Sequence, residues 1–161
     1  MKKKEIILSY DVYADLSELS ADDAVLLEQA KKATAFAYAP YSHFLVGAVA
    51  KMSNGQIVSG TNQENASYPA GICAERVLLS TASSIFPGVS IDTLAISYIG
   101  KGKTSNSPVA PCGICRQSLI EFEQRYSKSI RLILGGMEGE IYIFDRVKSL
   151  LPLEFSGDDL K

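Results

Sequence analysis

Alternation of apolar and polar residues predicts how the chain begins. From residue 6 to residue 12 every second side chain is apolar, which is typical of a strand and here predicts an added edge strand or arm. Ser20 followed by Asp23 resembles a capping box at the start of a helix. Helical spacing of apolar residues then runs over 25–38, and Pro40 is expected to end that helix.

The rest of the chain alternates between strands and helices. Segments 44–52 and 56–61 flank Ser53-Asn54-Gly55, which is a strong hairpin signal. The remaining predicted elements are a helix over 73–86, a strand over 93–99, a loop over 100–111, a helix over 113–126, strands over 130–134 and 141–144, and a short helix capped by Asp145 and ending at Leu150. This order predicts a single α/β domain over residues 1–161.

Composition narrows the class of protein. The chain is 47% hydrophobic and 21% charged, as in ordinary globular proteins, and no apolar run approaches the roughly 18 residues of a membrane span. Lysines and apolar residues at the N-terminus resemble a signal peptide, but Glu5, Ser9 and Asp11 interrupt the apolar stretch. We therefore expect a cytoplasmic protein without a membrane partner. A net charge of −2, with a dense basic cluster only at residues 2–4, argues against a nucleic-acid partner.

Three cysteines carry the candidate chemistry. An odd number in a chain without a secretory signal disfavours a disulfide framework and favours metal binding or thiol chemistry. Cys73 opens the second helix, while Cys112 and Cys115 open the third. Three thiolates with one open position suit a catalytic zinc, because such sites keep the fourth position for water.

Placement at two helix starts has an electrostatic consequence. The three negative charges of the thiolates exceed the 2+ charge of the ion by one, but each helix N-terminus supplies roughly half a positive charge. Arg76, which does not itself bind the metal, can hydrogen-bond a thiolate and remove more of the excess. With that compensation zinc can lower the pKa of a bound water toward neutrality. Glu75, two residues after Cys73, is then the candidate catalytic proton carrier.

The sequence is also consistent with other roles for these residues. The pair Cys112 and Cys115 can be a redox dithiol at a helix start. A purely structural zinc needs a fourth protein ligand, for which His43 is the obvious candidate. Glu75 can simply favour the helix dipole, and Asn62 can be a turn former.

Four separated segments resemble the cytidine deaminase superfamily. Cys73-Ala74-Glu75 followed by Pro111-Cys112 and Cys115 matches the signature of zinc base deaminases. Three more segments are similar to the small homotetrameric cytidine deaminases, namely Tyr41 to Ala48, Gly60 to Tyr68, and Leu150 to Phe155. The resemblance runs from about residue 22 to the C-terminus, which leaves residues 1–20 as an N-terminal arm outside the shared core.

The resemblance implies a fold and a set of site residues. The fold is a three-layer α/β/α sandwich with a mixed five-stranded sheet. One zinc per subunit is held by Cys73, Cys112 and Cys115, with Glu75 as the catalytic acid and base. The implied substrate-binding residues are Phe44 at the base, Ala74 through its backbone, Asn62 and Glu64 at the ribose hydroxyls, and Phe155 inserted into a neighbouring subunit of a homotetramer with shared active sites.

The implied reaction is zinc-dependent hydrolytic deamination of cytidine and deoxycytidine in pyrimidine salvage. Gln63, Ile114 and the long loop over 100–110 depart from the family pattern and bear on packing and substrate fit. Alternatives are a deaminase of another cytosine-bearing small molecule, such as blasticidin S, or a non-catalytic zinc-stabilised binding module. Editing of cytosine in DNA or RNA is disfavoured, because the chain lacks interleaved aromatic and basic residues.

Overall fold

The computed structural model describes residues 1–100, 102 and 104–161. The strands are β1 Asp11–Tyr13, β2 Leu45–Met52, β3 Ile57–Thr61, β4 Ile91–Ile99, β5 Arg131–Gly135 and β6 Ile141–Phe144. The helices are α1 Ala21–Ala33, α2 Ala74–Ile85 and α3 Gly113–Tyr126, with short 3-10 turns at Leu16–Glu18, Thr34–Phe36, Tyr68–Ala70, Val147–Leu150 and Gly157–Leu160. The predicted loop over 100–111 includes Lys101 and Lys103, which lie outside the described residues. Across the described part of the chain, every helix falls short of the length and apolarity that a membrane crossing requires.

The strands form one mixed sheet in the order β1-β6-β5-β4-β2-β3. Only β4 and β5 pair in parallel, and the other neighbours are antiparallel. The sheet has six strands where five were expected, and the extra strand is β1 at the edge.

Alternation along β4 explains how the sheet carries helices on both faces. Leu94 and Ile96 point into the core shared with α2 and α3, whereas Ala95 points into the core shared with α1. β4 is buried on both faces because α2 and α3 pack on one face and α1 packs on the other. The predicted three-layer α/β/α sandwich is confirmed.

The N-terminal arm forms less strand than its alternation predicts. β1 covers only residues 11–13, because its partner β6 is four residues long and pairs Asp11 with Ile143 and Tyr13 with Ile141. The ring of Tyr10 stacks on Phe144 at the end of β6, and the residues before it find no strand to pair with. Residues 1–10 are therefore exposed and irregular.

The first helix begins as predicted but ends early. The Ser20 hydroxyl caps α1 by accepting from the amide N–H of Asp23 at 3.2 Å. The helix ends at Ala33 rather than at Pro40, because the backbone of Tyr38 pairs with residues 62–64 beyond β3. Capping by Asp145 is also wrong, since the residue at the cap of the last predicted helix, a 3-10 turn, is Arg146.

Candidate active site

A close contact between β3 and α2 sets the position of the site. An ideal Cβ on Gly60 would lie 2.5 Å from both the carbonyl oxygen of Ala74 and the amide nitrogen of Leu78, so the strand and helix approach this closely only with glycine there. Cys73 is the N-cap of α2, and Glu75 lies in its first turn. The contact therefore places both functional side chains beside the end of β3.

The three cysteines converge as their spacing predicts. Cys112 is the N-cap of α3 and Cys115 lies in its first turn. The Sγ of Cys112 is 3.8 Å from that of Cys73 and 3.4 Å from that of Cys115, and all three sulfurs lie within 4.8 Å of one another. Tetrahedral zinc with Zn–S distances of about 2.3 Å needs sulfurs about 3.8 Å apart, so the donor set fits this metal.

The thiols perturb one another strongly. The pKa of Cys73 is lowered to about 6, chiefly by the neighbouring Cys115 thiol and against the effect of burial. The same interaction, together with burial, raises the pKa of Cys115. Two helix N-termini point at this cluster, and their positive ends favour thiolate there. The thiolate form that these helix ends favour is the form that binds a metal cation.

Glu75 is a buried carboxyl beside this cluster. It is 5% exposed, and burial raises its pKa. It lines a cavity of about 340 Å³ that also reaches Cys73 and Cys112. A carboxyl in such a place can exchange protons with a ligand in the cavity.

The cavity collects most of the predicted site residues. Seven of them line it, namely Phe44, Asn62, Glu64, Cys73, Ala74, Glu75 and Cys112. Two of the clustered sulfurs, an acid, an aromatic ring and polar groups thus share one space large enough for a small molecule.

Asn62 shapes the wall of the cavity through its amide. Its Oδ1 accepts from the backbone N–H of Val46 at 2.8 Å, and its Nδ2 donates to the carbonyl oxygen of Phe44 at 2.8 Å. These two bonds tie the residue after β3 to the start of β2. The position of Phe44 therefore depends on Asn62.

Glu64 holds a turn while keeping capacity for a ligand. Its Oε2 accepts from the backbone N–H of Tyr41 at 2.9 Å and of Ser42 at 3.2 Å. Its pKa is lowered, first by the hydrogen bond with the Ser42 side chain. An ionised carboxylate has about four lone-pair sites, so acceptor positions remain for hydroxyl groups.

Cys115 belongs to the sulfur cluster but lies outside the cavity lining, as do three other candidate residues. Arg76 is half-buried in a groove between α2 and α3, and its charge is one cause of the lowered pKa of Cys73. Phe155 is 58% exposed, and its carbonyl oxygen accepts from Gln117 at 2.8 Å. His43 is exposed in the left-handed region with φ 55°, and the metal cluster found among the described residues contains cysteines alone.

The structure adds residues that sequence reasoning missed. Tyr98, Ile96 and Val109 line the cavity. Arg116 donates to the carbonyl oxygens of Pro111 at 2.8 Å and of Leu150 at 2.9 Å, and so fixes the approach to Cys112. In the sequence, the position of Arg116 directly after Cys115 could have indicated a role at the site. The sequence around Tyr98 is that of an ordinary buried strand and gives no such indication.

Among α/β/α folds, sulfur ligands at two helix N-termini beside a buried glutamate define the class of zinc-dependent base deaminases. A family model described as the cytidine and deoxycytidylate deaminase zinc-binding region matches residues 20–129. The chain belongs to this family.

Relatives and solved structures agree with this assignment. The chain is 38% identical over 139 residues to the cytidine deaminase of Halalkalibacterium halodurans, covering 86% of this chain and 98% of that one. It is 39% identical over 143 residues to the cytidine deaminase of Mycobacterium tuberculosis, covering 84% and 91%. The crystal structure of cytidine deaminase from Burkholderia pseudomallei superposes with a TM-score of 0.71 at 36% identity, covering 85% of this chain and all of that one.

Proposed function

We propose that this protein is a hydrolase that deaminates cytidine and deoxycytidine, giving the uracil nucleosides and ammonia. The observation that carries the proposal is that the cysteine cluster opens into the same cavity as Glu75, Asn62 and Glu64. The relatives from Halalkalibacterium halodurans and Mycobacterium tuberculosis are named as cytidine deaminases, which supports the same reaction here.

One zinc per subunit is the metal that this site suits, bound by Cys73, Cys112 and Cys115. Zinc with three protein ligands keeps a position for water and lowers the pKa of that water. Arg76 supports the cluster through its charge. A hydrogen bond from Arg76 to a thiolate stays a prediction.

Glu75 is the residue that moves protons. It takes a proton from water as the water oxygen bonds to carbon 4 of the cytosine ring, and it delivers that proton to ring nitrogen 3. A second proton passes through the same carboxyl to the amino group, which leaves as ammonia when its bond to carbon 4 breaks. Water supplies both protons and the oxygen, so the reaction needs no oxidant or reductant.

Other residues of the cavity bind and orient the nucleoside. Phe44 is the wall against the pyrimidine ring, and the backbone of Ala74 contacts the base. The remaining acceptor positions of Glu64, together with Asn62, receive the ribose hydroxyls. These polar groups are already fixed by backbone hydrogen bonds, which lowers the cost of ordering them on binding.

Charge favours a nucleoside over a nucleotide. Lysine, arginine and histidine are missing from the cavity lining formed by the described residues, and Glu64 carries negative charge because its pKa is lowered. A phosphate group would therefore meet an uncompensated like charge. Deoxycytidine should be turned over far better than its 5′-monophosphate.

The proposal includes the domain organisation, the oligomeric state and the cellular location. Residues 1–161 make a single domain, supported by one sheet that runs from β1 to β3. Four copies associate, and exposed Phe155 enters a neighbouring active site. The enzyme works in the cytoplasm in pyrimidine salvage.

Glu75→Gln tests the reaction. The variant should keep zinc and nucleoside binding but lose turnover by about 10²- to 10⁴-fold, because general acid–base catalysis contributes that much. Turnover is followed by the ultraviolet change of cytidine, with and without a chelator, and Glu121→Gln on the exposed face of α3 is the matched control. Wild-type rates in Glu75→Gln would remove the proton role.

A panel of cytosine nucleosides, deoxycytidine 5′-monophosphate and blasticidin S, scored for ammonia release, tests the substrate. Ammonia release from blasticidin S alone would overturn the nucleoside assignment. Zinc binding without release from any of these compounds would identify a non-catalytic module instead.

A further inference from the structure

Tyr98 contacts two walls of the cavity at once. It lies near the end of β4 on the same face as Ile96, and both residues line the cavity. Its ring stacks on Phe44 with centroids 5.0 Å apart and 22° between the planes. Its hydroxyl donates to the carbonyl oxygen of Ser107 at 2.9 Å. Tyr98 thus links the Phe44 wall to the segment that follows β4.

That segment, residues 104–110, ends in two residues that line the cavity, and it is anchored from outside the cavity. Val109 and Ala110 line the cavity three and two residues before Cys112. Ser105 is buried, its carbonyl oxygen accepts from the backbone N–H of Glu138 at 3.1 Å, and its hydroxyl accepts from Gly100 N–H at 3.1 Å. The position of this wall therefore depends on hydrogen bonds at Ser105 and Ser107.

The turn between β5 and β6 supports the same segment by contact. An ideal Cβ on Gly136 would lie 2.0 Å from the carbonyl oxygen of Ser105, so the backbone of Ser105 would have to move to make room for it. Gly136 does not itself line the cavity, so a methyl group at this position displaces segment 104–110 without entering the cavity. The chain thus offers two independent ways to disturb one wall.

A tyrosine that bonds a loop carbonyl can serve stability alone. Two observations favour a role in binding. The bonded carbonyl of Ser107 lies two residues before Val109, so its release moves a cavity wall rather than remote surface. The ring that carries the hydroxyl is itself part of the cavity and supports Phe44.

We propose that Tyr98 is a positioning residue that sets the width of the pyrimidine pocket. Its ring supports the Phe44 wall, and its hydroxyl holds segment 104–110 against the base. The identity of the ligand rests on the proposed function. Loss of the hydroxyl widens the pocket and weakens nucleoside binding, while Glu75 and the cysteines keep their places.

Tyr98→Phe removes the hydroxyl and keeps the ring. The Kd of uridine, measured by titration calorimetry, and the KM of cytidine should each rise about 3- to 10-fold, because binding must then order a segment that this hydrogen bond holds in place in the wild type. The kcat and the zinc content should stay within about twofold of wild type, because the loss falls on binding alone. Tyr142→Phe is the matched control: among the described residues the hydroxyl of Tyr142, on β6, bonds the Glu140 side chain at 3.1 Å, so its loss should leave the Kd of uridine unchanged.

Two further variants separate the ring from the segment. Tyr98→Ala should raise the Kd of uridine more than Tyr98→Phe does, and Gly136→Ala should raise it in the same direction. A Kd for Tyr98→Phe within twofold of wild type would overturn the proposal, as would a fall in kcat and zinc content with an unchanged Kd. If Gly136→Ala or Tyr98→Ala does not fold, Tyr98→Phe alone decides.

Measurements of uridine binding and of cytidine turnover distinguish failure of the proposed function from failure of the proposed role of Tyr98. A wild-type protein that binds uridine but does not deaminate cytidine would refute the proposed function, while the Kd series would still decide the role of Tyr98. A wild-type protein that binds neither nucleoside would refute both.

Discussion

Replacing Gly60 by alanine should weaken metal binding without altering any ligand. The new Cβ would lie 2.5 Å from two backbone atoms of α2, whereas such contacts essentially never fall below 3.0 Å, so the gap must open by at least 0.5 Å (3.0 − 2.5). Backbone atoms cannot rotate away, and the first turn of α2 moves with Cys73 and Glu75. Metal–ligand distances tolerate only about 0.2 Å, so the displacement exceeds what the site can absorb.

The expected effect is large enough to measure. Zinc affinity should fall about 10- to 100-fold, as for residues that orient ligands in other metal sites. Overpacking should also lower the free energy of unfolding by about 1–3 kcal/mol. Competition of the apoprotein with a chromophoric chelator gives the affinity, and chemical unfolding gives the stability.

Gly113→Ala is the control, because Gly113 follows Cys112 at the start of α3 and a Cβ there meets nothing within 4 Å. It should bind zinc within about twofold of wild type. Equal zinc affinities for Gly60→Ala and Gly113→Ala would refute the reasoning that the β3–α2 contact positions the site.

Two carboxylates, half-buried Asp23 and buried Glu123, give further predictions. Burial raises the pKa of Asp23, but hydrogen bonds and charge from Arg131 outweigh it and lower the pKa below 3.8. The stabilisation is therefore fully present above pH 3.8 and lost as pH falls through the lower folded value, so Asp23→Asn should cost about 1 kcal/mol at pH 7 and progressively less below pH 3.8 in urea unfolding. A cost that does not fall with pH would contradict this. Glu123 accepts from the amide N–H groups of Ile130 at 2.7 Å and Val147 at 3.3 Å, and the Val147 N–H also donates to the carbonyl oxygen of Ile130 at 3.0 Å. Glu123→Ala should therefore leave the Ile130 N–H without an acceptor and cost roughly 1–3 kcal/mol in thermal unfolding. Glu123→Gln keeps the acceptor and should cost clearly less; equal losses would be inconsistent with this role.

Local sequence patterns were sufficient to predict most of the helices and strands and the convergence of the three cysteines. α3 and β6 have the predicted bounds, because each is a single amphipathic or apolar run between turn residues. Cys112 and Cys115 approach one another within one helical turn. Cys73 and Glu75 were identified by their order along the chain, which does not require knowledge of the tertiary fold.

Features that depend on a distant partner were not predictable. The length of β1 is set by β6, and the end of α1 by backbone pairing of Tyr38 with residues beyond β3. Tyr98 acquires its contacts from the path of segment 104–110, which no local pattern specifies. The placement of Asn62 and Glu64 in the cavity agrees with the resemblance, but their backbone hydrogen bonds came only from the structure.

Zinc K-edge absorption on the purified protein, with metal content determined on the same sample, tests the central claim most directly. The account predicts one zinc per chain with three sulfurs at about 2.3 Å and one lighter atom completing the shell. Stoichiometric metal in a shell without sulfur would contradict it, because Cys73, Cys112 and Cys115 would then not form the site on which the proposed reaction depends.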